Sequence, residues 1–278
     1  MVMKKFLFAL AFAAFGFCYM SGTETVYTYL QDTLNDMEVH GVVWSPEQNA
    51  AYFNGDHSYV AITNSPFAEV SGETGFTISM DVNISPNSSI WGRLIDVNFG
   101  TQNDSYFFIN GGKGGGSLLG TLRTVFAYGG KPYEHLVYVT NTDYSNRWIN
   151  IRAETFLAGS VKFYIDGELV STSGHDTQVV NVLNILKDMP NVWLGKSAFG
   201  EIDGYFQGYI KNLVITNSVV TPPGDVNGDG EVLIDDVSDL IDLLLRYVTE
   251  HPRADVDDDG SITISDVTAL VDLLLASA

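Results

Sequence analysis

Two stretches near the C-terminus align residue for residue at a spacing of thirty, and that duplication constrains this chain more than any other feature. The first runs Asp225, Val226, Asn227, Gly228, Asp229, Gly230, Glu231, Val232 and reaches Asp236 at its twelfth place. The second runs Asp255, Val256, Asp257, Asp258, Asp259, Gly260, Ser261, Ile262 and reaches Asp266 at the same place. Side-chain oxygens at positions 1, 3, 5 and 12 suit a calcium ion, which takes about six to eight hard oxygen ligands. Gly at position 6 permits the sharp reversal that a Cβ would obstruct. Position 7 offers the backbone carbonyls of Glu231 and Ser261, and the apolar position 8 lets paired loops bridge. The expected ligands are Asp225, Asn227, Asp229, Glu231 and Asp236 in one loop, and Asp255, Asp257, Asp259, Ser261 and Asp266 in the other.

A solvated acidic tail is the plainer reading of so many carboxylates. From Gly224 to Ala278 there are fourteen Asp and Glu against two Arg, a net of −12 within a chain of −20. A tail does not predict the same pattern twice, glycine included, each time ahead of an amphipathic helix. Val237, Leu240, Ile241 and Leu244 recur at helical spacing, as do Val267, Leu270, Val271 and Leu274. Asp236 and Asp266 are expected to open these helices, where a carboxylate suits the positive end of the dipole. A unit of about 55 residues is near the lower limit for a self-sufficient core, and bound metal is a common staple at that size.

Residues 224–278 resemble a dockerin, a bacterial module of two EF-hand-like loop–helix calcium units. The resemblance implies a small all-α domain over 221–278 that docks onto a cohesin-bearing scaffold and attaches secreted, mostly polysaccharide-degrading proteins. Two departures bear on that partner. Position 9, often Asn or Asp in the family, is Leu233 and Thr263. Positions 10 and 11, often Ser-Thr or Ser-Ser in cohesin-binding members, are Ile234-Asp235 and Ile264-Ser265.

The first residues address the compartment. Lys4 and Lys5 precede an apolar run from Phe6 to Phe17. That is the pattern of a secretory signal peptide over 1–22, and the run is too short to span a bilayer comfortably. Cys18, the single cysteine, stands where a lipoprotein signal places its lipidated residue, but Phe17 before it is large and removal with the leader is expected. The mature chain then relies on packing and metal rather than disulfides. No second apolar stretch approaches spanning length, and no basic face invites nucleic acid.

Between leader and acidic repeat, strand signals recur over Tyr59–Thr63, Phe76–Ile84, Arg93–Phe99, Tyr106–Ile109, Thr121–Tyr128, His135–Thr140, Arg147–Glu154, Ser160–Ile165, Val192–Gly195 and Gly208–Ile215. Phe76, Ile78, Met80, Val82 and Ile84 alternate on one face, and the longest helical signal is Val179–Leu186. This reads as an antiparallel β-sandwich over 23–220, with Thr221-Pro222-Pro223 as a short stiff linker. Phe53, Gly55, Tyr59 and Val60, then Gly75 to Ser79, Trp148 to Ile151, the Asp166-Gly167 hairpin turn, Trp193 to Lys196 and Gly204 to Ile215 resemble laminin-G-like jelly rolls of the concanavalin-A-like class. The resemblance implies a glycan or glycoprotein ligand and a possible third calcium ion. Asn54 and Asp56 are candidates for that ion, although Asn212 stands where an acidic residue is common.

The same fold hosts glycoside hydrolases, which need two carboxylates about 5 to 10 Å apart. Glu201-Ile202-Asp203 begins a Glu-x-Asp-x-x-Glu pattern, but its third acidic place is Phe206 and the segment reads as a loop. Asp81, Asp96 and Glu154 lie in strands without paired spacing. His57, His135 and His175 show no metal-ligand arrangement, and Gly111 to Gly116 lacks the context of a phosphate loop. Trp91, Tyr128, Tyr133, Tyr144 and Trp148 are candidate sugar platforms, with packing the plainer role for each. The sequence therefore points to a secreted, non-catalytic binding protein. A hydrolase with an unrecognised carboxylate pair, and a structural protein with calcium locking its C-terminus, are the alternatives.

Overall fold

The computed structural model describes residues 4–5, 25–35, 37–68, 70–72, 74–111, 122–138, 142–156, 159–217, 224–229, 231–248, 251, 253–257 and 259–276. Cys18, the rest of the expected signal peptide beyond Lys4–Lys5, residues 112–116, the expected linker 221–223 and Gly230 lie outside them. The described residues divide into two compact units, 4–217 and 224–276.

The first unit contains β1 (Lys4–Lys5), β2 (Thr25–Tyr29), β3 (Glu38–His40), β4 (Val43–Ser45), β5 (Ala50–Asn54), β6 (Tyr59–Ala61), β7 (Phe76–Ile84) and β8 (Arg93–Asn98). It continues with β9 (Tyr106–Gly111), β10 (Leu122–Ala127), β11 (Glu134–Tyr138), β12 (Trp148–Thr155), β13 (Val161–Ile165), β14 (Glu168–Ser173), α1 (Thr177–Ile185), β15 (Asn191–Leu194) and β16 (Gln207–Thr216). One sheet has the order β1-β2-β16-β7-β12-β13-β14, with β5 also on β16 and β4 on β5; the other runs β11-β10-β9-β8-β15-β6-β3. Every strand pair among the described residues is antiparallel. This is the expected sandwich, jelly-roll in kind.

The period-two pattern sets the facing. On β7, Phe76, Ile78, Met80, Val82 and Ile84 are buried while the residues between them are half-buried. They meet Leu94, Val97, Phe107, Ile109 and Phe126 of the opposite sheet in one core. Burying each large apolar side chain contributes about 1.5–3 kcal/mol. The β13–β14 hairpin turns at Asp166 (φ 52°) and Gly167 (φ 84°), the paired left-handed residues that a two-residue turn of this hand needs. Gly75 closes the approach to β7 at φ +59°, and a Cβ there would lie 2.1 Å from the Thr155 carbonyl oxygen. Gly75→Ala is expected to lower unfolding free energy by about 2–4 kcal/mol. Urea unfolding measures this, and an unchanged midpoint would refute it.

β16 is the structural spine. One edge pairs with β7; the other pairs with β5 through Gln207–Ile210 and with β2 through Leu213–Thr216. The exchange falls on Asn212, whose φ of 52° and register shift against β7 mark a bulge. Its amide donates to Asp81 Oδ2 at 2.7 Å. Asn tolerates the left-handed region better than most residues, which explains its presence at this place.

β8, β9 and β10 depart from alternation, being buried along their whole length. Their outward residues Tyr106, Phe108, Val125 and Ala127 form a second small core with Leu136 and Phe199. Phe199 belongs to the 196–206 segment, which lies over this face. Lys4 and Lys5 enter the fold as well, Lys4 opposite Val26 and Lys5 opposite Thr25 on β2.

In the second unit the two expected helices are α2 (Ile234–Leu245) and α3 (Ile264–Ala276). They pack on Val226, Ala254 and Val256 through Val237, Leu240 and Leu270, with Val232 and Ile262 of position 8 against the same cluster. Two expectations need correction. Asp236 and Asp266 sit at the third helical position rather than the first, because Ile234 and Ile264 already start the turn. Ile241 and Val271 face outward, 40% and 36% exposed. Each residue turns a helix by about 100°, which carries them off a buried stripe centred on Leu240 and Leu270.

Candidate functional site

The duplicated loops share one hydrogen-bonding plan. In the first, Asp225 Oδ1 accepts the N–H of Gly228 at 2.7 Å and of Asp229 at 3.0 Å. Asn227 Oδ1 accepts from Asp229 N–H at 2.9 Å, and Asp229 Oδ1 from Glu231 N–H at 2.8 Å. Asp236 closes the loop, its Oδ1 accepting from Asn227 N–H at 3.0 Å and its Oδ2 from Leu233 N–H at 2.8 Å.

The second loop repeats this. Asp255 Oδ1 accepts from Asp259 N–H at 3.0 Å, Asp257 Oδ1 from the same group at 3.2 Å, and Asp259 Oδ1 from Ser261 N–H at 2.9 Å. Asp266 Oδ1 accepts from Val256 and Asp257 N–H at 2.7 and 3.2 Å, and Oδ2 from Thr263 N–H at 2.7 Å. Each loop is thus tied from its twelfth residue back to its start and forward to its helix. The side chains of Glu231 and Ser261 are exposed.

The donor set fits a hard cation. Carboxylate oxygens of Asp255, Asp257 and Asp259 lie within 4.8 Å of one another. Asp225, Asp236 and Asp266 are fully buried. The hydrogen bonds of Asp236 and Asp266 run to backbone N–H groups rather than to a basic side chain. Burial pushes the Asp236 carboxyl above its usual range, partly opposed by those N–H donors. Buried carboxylates at this density are costly without a compensating cation.

In the sandwich the candidate carboxylates disperse. Asp81, on the β7–β12–β16 face, accepts from Asn150 Nδ2 at 2.8 Å as well as from Asn212. Glu154 pairs with Arg152 at 3.3 Å. Asp96 and Asp203 flank Arg93, whose Nη2 lies 2.6 Å from Asp203 Oδ2 and Nε 3.5 Å from Asp96 Oδ2. Arg93 is 1% exposed, with Phe108 stacked 3.6 Å from its Cζ and Ser197 Oγ donating to Asp203 at 2.6 Å. Burial pushes the Asp96 carboxyl up to about 6. No sequence signal linked Asp203 to this buried cluster; the Glu201-Ile202-Asp203 segment itself is the expected turn, a short 3-10 helix at Gly200–Ile202.

His57 touches Asp56 at 2.7 Å and Glu201 at 3.1 Å on the surface, and these two contacts raise its pKa. His135 pairs instead with Asp176 at 2.8 Å, so the histidines are not gathered. Asn54 and Asp56 share one turn, with Asn54 Oδ1 accepting from Asp56 N–H. Asn54 stands opposite Gln207, and Asn212 lies five residues farther along β16, so the structure does not bring the three together.

Among the aromatic candidates, Tyr144 is buried in the core. Trp91 lies under Arg123 at 4.7 Å, and Tyr128 and Tyr133 are exposed. Trp148 is half-buried, 6.3 Å from Tyr209, which is 5.0 Å from Tyr52, with Lys211 Nζ 4.1 Å from the indole. Tyr52 and Tyr209 were not singled out in the sequence. Their strands are neighbours only in the folded sheet.

Solved structures with similar folds include the CBM40 of Ruminococcus gnavus IT-sialidase bound to α2,3-sialyllactose, at 14% identity and TM-score 0.47 over 62% of this chain and 91% of that one. The binding domain of botulinum neurotoxin serotype D matches at 12% identity and TM-score 0.46, over 80% of this chain and 50% of that one. The receptor-binding domain of botulinum neurotoxin type G matches at 12% identity and TM-score 0.41, over 71% and 44%. No curated protein matches. Among the described residues no helix is long and apolar enough to cross a membrane. Residues 54–223, more than half of the chain, match a laminin G family model described as the concanavalin A-like lectin/glucanases superfamily, and the chain belongs to that superfamily.

Proposed function

We propose that this is a secreted, non-catalytic binding protein. The sandwich recognises a glycan or glycoprotein, and the C-terminal unit is a two-calcium dockerin that fastens the chain to a cohesin-bearing scaffold. The observation that carries the reading is the matched wiring of the two loops. Positions 1, 3, 5 and 12 make equivalent bonds thirty residues apart, and three carboxylates of the second loop converge. The ligands are Asp225, Asn227, Asp229 and Asp236, with Asp255, Asp257, Asp259 and Asp266, joined by the position-7 carbonyls of Glu231 and Ser261. Bound calcium would supply positive charge to these buried carboxylates. Membership of a lectin and glucanase superfamily supports the carbohydrate-directed role of the sandwich.

The duplication also extends to the surface. Ile234 and Ile264 are 73% and 72% exposed, and Leu245 and Leu275 are both 72% exposed. Core packing does not account for apolar residues repeated at equivalent outward places, and a docking face does. Export and loss of residues 1–22 complete the proposal; β2 would then become a sheet edge.

Calorimetric titration of the chain with calcium tests this. Two sites are expected, with Asp225→Ala and Asp255→Ala each abolishing one. Absence of binding, or binding indifferent to both substitutions, would remove the calcium reading. A glycan array followed by a reducing-sugar assay tests the sandwich, and sugar release abolished by one carboxylate substitution would replace the binding role with hydrolysis.

A further inference from the structure

The two loops are alike in plan but not in charge. Counting positions 1, 3, 5 and 12, the first offers Asp225, Asn227, Asp229 and Asp236, three charges. The second offers Asp255, Asp257, Asp259 and Asp266, four charges. A larger asymmetry comes from Arg253, two residues before the second loop, which reaches back to the first.

Its guanidinium lies flat against Gly228, the fourth residue of the first loop. A Cβ at 228 would fall 2.5 Å from Nη1 and 2.9 Å from Cζ, so a side chain there would displace the guanidinium, and the φ of +80° favours glycine as well. Nη2 stands 3.5 Å from the Val226 carbonyl, while Nε and Nη1 have no hydrogen-bond partner. The side chain is half-buried, and its charge acts on the carboxylates of Asp225, Asp236 and Asp229. A buried guanidinium with most of its donors unused is poorly explained as a structural fastener. The second loop has no counterpart. The residue equivalent to Arg253 is Pro223, and the residue equivalent to Gly228 is Asp258, so the second loop's sequence lacks both the cation and the glycine.

We infer that Arg253 is an internal cation that weakens calcium binding at the first loop, so that the second loop fills first and the first responds at higher calcium. This rests on the calcium reading above. Arg253 reduces the first loop's ligand charge from three to two, against four in the second. A like charge held close to a divalent ion in a water-like medium changes its affinity by about tenfold.

The test is a calcium titration of the intact chain by calorimetry, comparing the unsubstituted protein with Arg253→Gln and Arg253→Lys. Two separated steps are expected for the unsubstituted chain. Arg253→Gln should tighten the weaker step about tenfold and leave the stronger one in place, whereas Arg253→Lys, which keeps the charge, should preserve the separation. The same comparison in an Asp255→Ala background isolates the first loop, and far-UV dichroism reports whether that background folds. Two calcium sites with the weaker step unmoved or loosened by Arg253→Gln would overturn the inference and leave the calcium reading intact. No binding by the unsubstituted chain would remove both.

Discussion

Replacing Asp203 with Ala is expected to lower the unfolding free energy of the sandwich by about 3–5 kcal/mol, the range for stripping one partner from a buried ion pair. Asp203 holds Arg93 Nη2 at 2.6 Å, and Arg93 is enclosed between Phe108 and Phe199 where water does not reach its charge. Without Asp203 the guanidinium keeps Asp96 and loses its shortest contact. All four tryptophans, Trp44, Trp91, Trp148 and Trp193, lie in this unit, so indole fluorescence during denaturant unfolding reads the sandwich alone. A loss below about 1 kcal/mol would mean that Asp96 suffices for Arg93.

The same cluster sets a pH dependence. With its carboxyl raised to about 6 by burial, Asp96 binds its proton more tightly in the folded chain than in the unfolded one. Its contribution to stability is therefore largest below the ordinary carboxylate range and declines as pH rises from about 4 to about 6, by up to about 3 kcal/mol. Asp96→Asn should flatten that decline. A slope unchanged by the substitution would assign it to other carboxylates.

Chelating calcium is expected to unfold the C-terminal unit while leaving the sandwich folded. At a hundredfold excess over the dissociation constant one ion adds about 2.7 kcal/mol, so two add about 5. A unit of this size has about 3–8 kcal/mol in total. The helices α2 and α3, of 12 and 13 residues, outweigh the 9 residues of α1. Far-UV helicity should therefore fall by more than half on adding a chelator, with indole fluorescence unchanged. Helicity that survives the chelator would show that the small core of Val226, Val237, Leu240, Ala254, Val256 and Leu270 stands without metal.

Regular periodicity was the part of the fold that the sequence made legible. β7 matches its expected span residue for residue, because five alternating apolar side chains leave one way to face the core. The Asp166-Gly167 turn was equally readable from its two residues. β2, β3 and β4 were not anticipated. They are short, and tertiary pairing rather than side-chain pattern holds them in the sheets. Ile241 and Val271 show the opposite failure, since helical spacing identified an apolar residue without saying which side of the helix would be covered. The loops were visible because their acidic residues lie close together in sequence and recur at a spacing of thirty. The Arg93–Asp203 pair spans 110 residues, and Arg253 reaches across its repeat to Gly228, so neither left a local trace.

The position of β16 fixes when the sandwich can form. It is the last strand of its unit to leave the ribosome, yet it sits between β7 on one side and β2 with β5 on the other. Until residue 216 has emerged, β2 and β5 lack the strand that joins them to β7, and one edge of β7 lacks its neighbour. Folding is consequently a late, concerted event dominated by pairings distant in sequence, which places it among the slower topologies. The nascent chain passes through a long interval with its apolar strands uncovered, and a chaperone that shields them should raise its yield more than any slowing of synthesis.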